Sequence, residues 1–283
     1  MDILEKIIAQ KRIELERCKQ VVHLEQLENT LSAVNTNPRS LKNALLQAEV
    51  PIIAEFKRKS PSKGFINENA DIEEIIPAYT QFGAAGISVL TDEQFFGGSL
   101  SDLKRARTLT DIPLLRKDFM IDEYQLYVAK TIGADVILLI AAALTVPQTL
   151  QLAQKAKELN LEVLLELHDE KELEHINEYV DIVGINNRNL KTFAVDIEAS
   201  IRLSDKLPTD FVRISESGIS QPETVVQLMQ AGFQGFLMGE NFMKTDSPGN
   251  ELSNFIRQVS PRSGRSIQPN GAALGGDDKS DKK

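Results

Sequence analysis

From Pro51 onward the chain repeats one rhythm, and that rhythm leaves few folds open. Short apolar runs alternate with amphipathic stretches. The runs are Ile52–Phe56, Gly86–Leu90, Pro113–Arg116, Asp135–Ile140, Glu162–Leu167, Asp181–Ile185, Phe211–Ser215 and Gly235–Met238. Between them lie Ile72–Phe82, Leu100–Leu109, Glu123–Ile132, Pro147–Leu159, Lys171–Glu178, Ile197–Leu207 and Pro222–Ala231, which read as helices, and a last helix is expected near Asn250–Val259. Strands that alternate with helical crossovers run parallel to one another. Eight such units predict an α/β protein, a closed (β/α)₈ TIM barrel rather than an open sheet. A length of 283 residues suits one domain of that kind.

The two ends of the chain depart from the rhythm. Leu4, Ile8, Cys18 and Val22, with Ile7 and Leu15 beside them, recur at helical spacing, so the N-terminus reads as a helix. Cys18 falls on that apolar stripe and is expected to be a small buried hydrophobe. A second short helix is expected at Leu41–Gln47, after Pro38. From Ser260 the chain is rich in Gly, Ser and charge and has no apolar period, the composition of a disordered tail. The expected organisation is a helical extension over residues 1–50, a barrel over 51–259 and a tail over 260–283.

Composition removes several classes of function. The formal net charge of −9 does not suit a nucleic-acid partner, whose phosphates need a basic surface. A single cysteine excludes an internal disulfide framework and a multi-cysteine metal cluster. The three histidines have no metal-ligand spacing, so neither metal nor other cofactor is called for. The longest fully apolar run, Val136–Leu144, is far too short to span a bilayer. MDILEKIIAQKR holds no signal-peptide core. The expectation is a cytoplasmic protein, a monomer or weak homo-oligomer, that acts on a small molecule.

Chemistry gathers where the strands end. The first runs into Glu55-Phe56-Lys57, the third into Arg116-Lys117-Asp118, the fifth into Glu166-Leu167, the sixth into Asn186-Asn187-Arg188 and the seventh into Glu216-Ser217-Gly218. In a barrel these ends converge on one mouth, where active sites lie. Side chains alternate along a strand, so Glu55 and Lys57 point to the same side. Charges facing inward are costly unless paired or hydrated. One such pair could be a structural layer filling the barrel; five strand ends carrying them argue for a site. His168 follows the fifth strand and could border the mouth, but reads as structural.

Ser217-Gly218 and Gly239-Glu240 follow the seventh and eighth strands, where barrels often hold phosphate on backbone N–H groups. IIAEFKRKSPSKGFI, Ile52–Ile66, is too charged for an ordinary turn and reads as a mobile loop that closes over an anionic substrate.

Taken together, IIAEFKRKSPSKG, VLTDEQFFGGS, LRKDFMIDEYQ, LLELHD, GINNRNL, ISESGI and FLMGE closely resemble the motifs of the indole-3-glycerol-phosphate synthase family, in the family's order. The resemblance covers roughly Ile3 to Gln258. It implies a cofactor-free carboxy-lyase of tryptophan biosynthesis that closes an indole ring. It further implies Lys117 as general acid, Glu166 as base in the dehydration, and Glu55 with Lys57 as the first-strand pair. Asn186 and Glu216 match polar residues that position the substrate. Ser60, Phe119 and Arg188 match substrate-binding positions, Phe119 as a wall for the aromatic ring. Ser217, Gly218, Gly239 and Glu240 match the phosphate loops; some members carry Ser in place of Glu240, which is tolerable if the carboxylate turns away. On the residues alone, two other readings stay open. One is a different phosphosugar barrel lyase or isomerase, with Lys117 forming a Schiff base. The other is a catalytically silent barrel used as a binding subunit.

Overall fold

A computed structural model describes residues 2–32, 39–189 and 192–263 of the chain. Eight parallel strands close into a barrel. They are β1 (Ile52–Phe56), β2 (Gly86–Leu90), β3 (Leu114–Lys117), β4 (Val136–Ile140), β5 (Glu162–Leu167), β6 (Ile182–Asn186), β7 (Val212–Glu216) and β8 (Gly235–Met238). The expected strands appear with ends displaced by no more than a residue. The helices expected between the strands follow, and one changes type: the stretch read as a helix over Lys171–Glu178 is a tighter 3₁₀ turn, Glu170–His175. There the buried His175 meets Thr149 Oγ1 through Nδ1 at 2.8 Å. The last helix runs over Pro248–Ser263, past the expected end at Val259. The expected tail therefore loses its first residues to this helix, and from residue 264 it lies outside the described residues.

The alternation along each strand divides the core in two. Ile52, Ala54 and Phe56 face outward and join the large cluster shared with the helices. Ile53, Leu115, Leu138, Leu164, Ile214 and Leu237 fill the barrel's interior. Following the inward parity toward the mouth gives Glu55 and Lys57 after Ile53, Lys117 after Leu115, Glu166 after Leu164 and Glu216 after Ile214. The columns of β1, β3, β5 and β7 are apolar at their base and charged at their top. The charged layer lies at the C-terminal ends of the strands.

The extension reaches both ends of the barrel. Helix α1 (Ile3–Val21) opens with a capping box between Asp2 and Glu5 and lies at the mouth. Helix α2 (Leu24–Ser32) lies on the helix Glu123–Thr131, with Leu15, Leu27 and Tyr124 forming a small cluster of their own. Tyr124 donates its hydroxyl to the carbonyls of Cys18, at 3.2 Å, and Val22, at 3.0 Å. Helix α3 (Leu41–Gln47) closes the opposite end. Its Leu41 and Leu45 are fully buried among the bases of the strands. A methyl group on Gly86 would run into Leu41, and one on Gly235 into Ile214 first and Leu45 next, so these glycines at the strand starts leave room for the plug. The extension is thus split, with α1 at the mouth and α3 at the opposite end.

Cys18 is exposed, against the expectation of burial. The buried row of α1 is Ile7, Lys11 and Leu15. Beyond Leu15 the helix carries exposed Val21 and leads into Val22, so apolar spacing continues past the surface that could cover it.

Candidate active site

A cavity of about 360 Å³ sits in the mouth. One part of its wall is apolar: Ile3, Leu4 and Ile7 of α1, with Phe96, Phe119 and Phe193 from the loops. Phe96 and Phe119 pack tilted against each other, with ring centres 6.0 Å apart. The polar part is built by the strand ends. Glu55, Lys57, Lys117, Glu166, Asn186, Ser60, Arg188, Ser217, Gly218, Gly239 and Glu240 all line this cavity. Glu216 lies just beneath it, held by Lys117.

Two lysine–carboxylate groupings form the floor. Lys57 Nζ lies 2.6 Å from Glu55 Oε1. Lys117 Nζ lies 2.8 Å from Glu216 Oε2 and 3.4 Å from Glu166 Oε2. Burial works against the Lys117 ammonium, but Glu216 and Glu166 outweigh it and hold the group above its ordinary range. Burial likewise works against Glu166 as a carboxylate; Lys117, His168 and Asn186 reverse the balance and keep it below the usual range. Glu216 goes the other way. Its burial, with Glu166 and Glu55 nearby, pushes it up in spite of Lys117. The mouth therefore presents a cationic lysine between two carboxyl groups of different proton affinity, an arrangement suited to moving protons. A methyl group on Gly184 would collide with Glu216, so the strand beside it must be bare there.

The loops after β7 and β8 have features that glycine spacing did not reveal. Ser217 and Gly218 both adopt left-handed backbone, at φ 69° and 73°. Asn187, buried behind them, donates to the Ser217 carbonyl at 2.7 Å and to Ser215 Oγ at 3.0 Å, and so fixes the turn. Only its neighbour Asn186 was expected to matter. A Cβ on Gly239 would lie 2.5 Å from Glu55 Oε1, so this glycine makes room for the first-strand carboxylate. Glu240 turns aside, its Oε1 2.5 Å from Lys63 Nζ in the first loop. That loop holds a short ribbon, Lys59–Ser60 against Gly64–Phe65, and Ser60 Oγ is buried in it without a hydrogen-bond partner in the structure. Arg188 receives its position from Asn186, whose Oδ1 accepts the Arg188 backbone N–H at 3.0 Å.

Sequence reading missed the anchor of the roof. Lys11 of α1 is buried, with Nζ 2.9 Å from Asp92 Oδ2, 3.0 Å from Asp118 Oδ1 and 2.8 Å from Glu14 Oε2. Asp118 follows Lys117 and also takes Arg116, at 2.9 Å, and Thr91, at 2.6 Å. Asp92 caps the short helix Glu93–Phe96 that carries Phe96 to the cavity. Lys11→Met should free α1 from the mouth. A loss of docking worth about 1.4 kcal/mol would raise KM about tenfold with a smaller change in kcat. Steady-state kinetics with a melting curve checks this, and an unchanged KM would show that the helix docks without its lysine. Burial pushes the Asp118 carboxyl up, but Arg116 and Lys11 overcome that and bring it down to about 2. Its stabilising contribution is thus present above the unfolded carboxyl range near pH 4 and is lost as pH falls toward 2.

Fold and site together define a (β/α)₈-barrel enzyme with an acid–base layer of lysines and glutamates under a cavity that has an aromatic wall. The family model described as indole-3-glycerol phosphate synthase matches residues 4–258. An indole-3-glycerol phosphate synthase of Bacteroides thetaiotaomicron is 55% identical over 258 residues, covering 91% of this chain and 99% of that one. One of Polaromonas naphthalenivorans is 43% identical, over 90% of this chain and 98% of that one. The chain belongs to the indole-3-glycerol phosphate synthase family. Among solved structures, a thiamine phosphate pyrophosphorylase from Pyrococcus furiosus superposes at a TM-score of 0.57 with 15% identity, over 80% of this chain and 100% of that one. A mutant tryptophan synthase alpha-subunit from the same organism gives 0.56 at 15% identity, over 74% and 97%. At such identities these two share the barrel fold and no more. No helix among the described residues is long and apolar enough to cross a membrane.

Proposed function

We propose that the site converts 1-(2-carboxyphenylamino)-1-deoxyribulose 5-phosphate into indole-3-glycerol phosphate, carbon dioxide and water. The observation that carries this reading is the pair of lysine–carboxylate groupings set beneath an aromatic wall. The anilino ring lies against Phe119 and Phe96. Lys117 gives its proton to the ketone oxygen as the ring carbon bearing the carboxylate attacks the ketone carbon. The bond to the carboxylate then breaks, carbon dioxide leaves, and its electron pair returns to the ring. In the second half the new hydroxyl departs as water, with Lys57 as its acid, while Glu166 takes the proton whose loss forms the indole double bond. Asn186 and Glu216 hold Glu166 and Lys117 in place, and Glu55 does the same for Lys57. Ser60 and Arg188 close over the substrate from the first and sixth loops. The phosphate rests on backbone N–H groups of Ser217, Gly218, Gly239 and Glu240, where left-handed backbone at Ser217-Gly218 turns consecutive amides one way. We place the enzyme in the cytoplasm as a monomer or weak homo-oligomer.

Purified protein mixed with the carboxyphenylamino substrate should develop indole fluorescence, and borohydride added during turnover should trap no covalent adduct. Absence of indole, or a substrate-dependent adduct on Lys117, would replace this reading with a Schiff-base barrel.

A further inference from the structure

The first turn after β5 carries a histidine that the proposed steps do not use. His168 is 11% exposed, and its Nε2 lies 3.2 Å from Glu166 Oε1. Its Nδ1 lies 3.5 Å from Glu172 Oε2. The His168 backbone N–H donates to that same Glu172 oxygen at 2.6 Å, which ties the 3₁₀ turn to the strand end. Each ring nitrogen thus faces an anion. Two carboxylates facing the ring favour its doubly protonated form.

The arrangement has a consequence at Glu166. Oε1 faces His168 and also accepts the Asn186 amide at 3.1 Å. Oε2 faces Lys117 at 3.4 Å. One oxygen is engaged on the wall side and the other is left toward the cavity.

We propose that His168 is a positioning residue for Glu166: the chain Glu172–His168–Glu166 fixes the carboxylate's orientation and keeps it ionised between steps. This rests on the reading of Glu166 as the base in dehydration. On the far side His168 borders a second cavity, whose charged lining is Asp2, Glu5 and Arg12 at the start of the chain, Asp169, Glu172, Arg188 and Asp196. On the barrel side Glu166 faces Lys117, with Glu216 beyond it. Burial pulls the imidazole down, yet Glu166 and Glu172 together raise it to about 10, so the cation persists through the neutral range. Sequence reading placed His168 near the mouth and passed over it.

The test needs two readouts. The chain has three histidines, so ring ¹⁵N signals of histidine-labelled protein are few, and His168→Asn assigns the one in question. His168 should remain imidazolium at pH 8, and Glu172→Gln should bring its titration downward. In kinetics, His168→Asn and His168→Gln should each lower kcat about tenfold with KM within about twofold. The acidic limb of the kcat profile should move up by about one pH unit, because a cation next to Glu166 is gone. Glu172→Gln should shift it the same way by less. A neutral ring at pH 7, or a His168→Gln enzyme with unchanged kcat and acidic limb, overturns the proposal. If wild-type protein forms no indole while the ring stays charged, the functional reading fails and the hold of His168 on Glu166 stands.

Discussion

Lys117→Met should lower kcat at least about 10²-fold while KM changes far less, the pattern of an interaction made chiefly in the transition state. The first step gathers negative charge on the ketone oxygen, and a neutral side chain supplies neither a proton nor a full positive charge there. Methionine keeps the apolar stem, so packing is not the variable. The geometry adds a second reason for a large effect. With the ammonium gone, Glu166 and Glu216 lose the cation they share. Glu216, already pushed up by burial, then takes a proton more readily, and the charge pattern of the floor collapses with one substitution. Lys57→Met provides the comparison, since Lys57 is paired only with Glu55 among the ion pairs of the described residues. Measured side by side by indole fluorescence, the Lys117 variant should lose more kcat. Near-normal turnover in it would transfer the role of general acid to Lys57.

The largest effect on stability should come from the end of the barrel that does no chemistry. Leu41 and Leu45 are fully buried against the bases of the strands. Each Leu→Ala change in such a place costs about 2–5 kcal/mol, part lost transfer energy and part unfilled cavity. The double variant should approach the whole stability of an ordinary domain. Two truncations separate the roles within the extension. Removing residues 1–32 takes away α1 and α2 and should leave a folded barrel with a raised KM. Removing residues 1–49 also uncovers the plug site and should give aggregation or a collapsed melting transition. A well-folded product from the longer deletion would show that the barrel seals itself.

The parts of this protein that could be read from its sequence share a property: their signal is local. A strand announces itself by its own residues, and a lysine two places after Leu115 declares its inward parity without reference to any other segment. Lys117, Glu166 and Glu55 were legible for that reason. Lys11 was not, because its partners Asp92 and Asp118 are distant in the chain and a lysine on an amphipathic helix resembles a solvated one. Its place in the row Ile7, Lys11, Leu15 was the one available hint. Glu172 stands four residues after His168, but Lys171–Glu178 reads as a crossover helix that begins beyond His168, and this hides the pairing. Helix α2 carries Leu24, Leu27 and Leu31 at helical spacing, and its single buried residue, Leu27, leaves it a weak apolar face. The plug could not be foreseen from Leu41 and Leu45 themselves. It depends on bare positions at Gly86 and Gly235, which in isolation look like ordinary strand starts.

Leu45 lies against Gly235, at the start of the last strand. During synthesis the chain emerges in order, so α3 leaves the ribosome long before the surface it fits has been made. Leu45 must wait, exposed, until β8 joins β1. A segment made before any of the strands is the one whose docking is completed last, and the burial of Leu45 reports that the ring of strands has closed. A fluorophore placed beside α3, at Leu46 for example, which is 48% exposed, would time that closure directly during refolding.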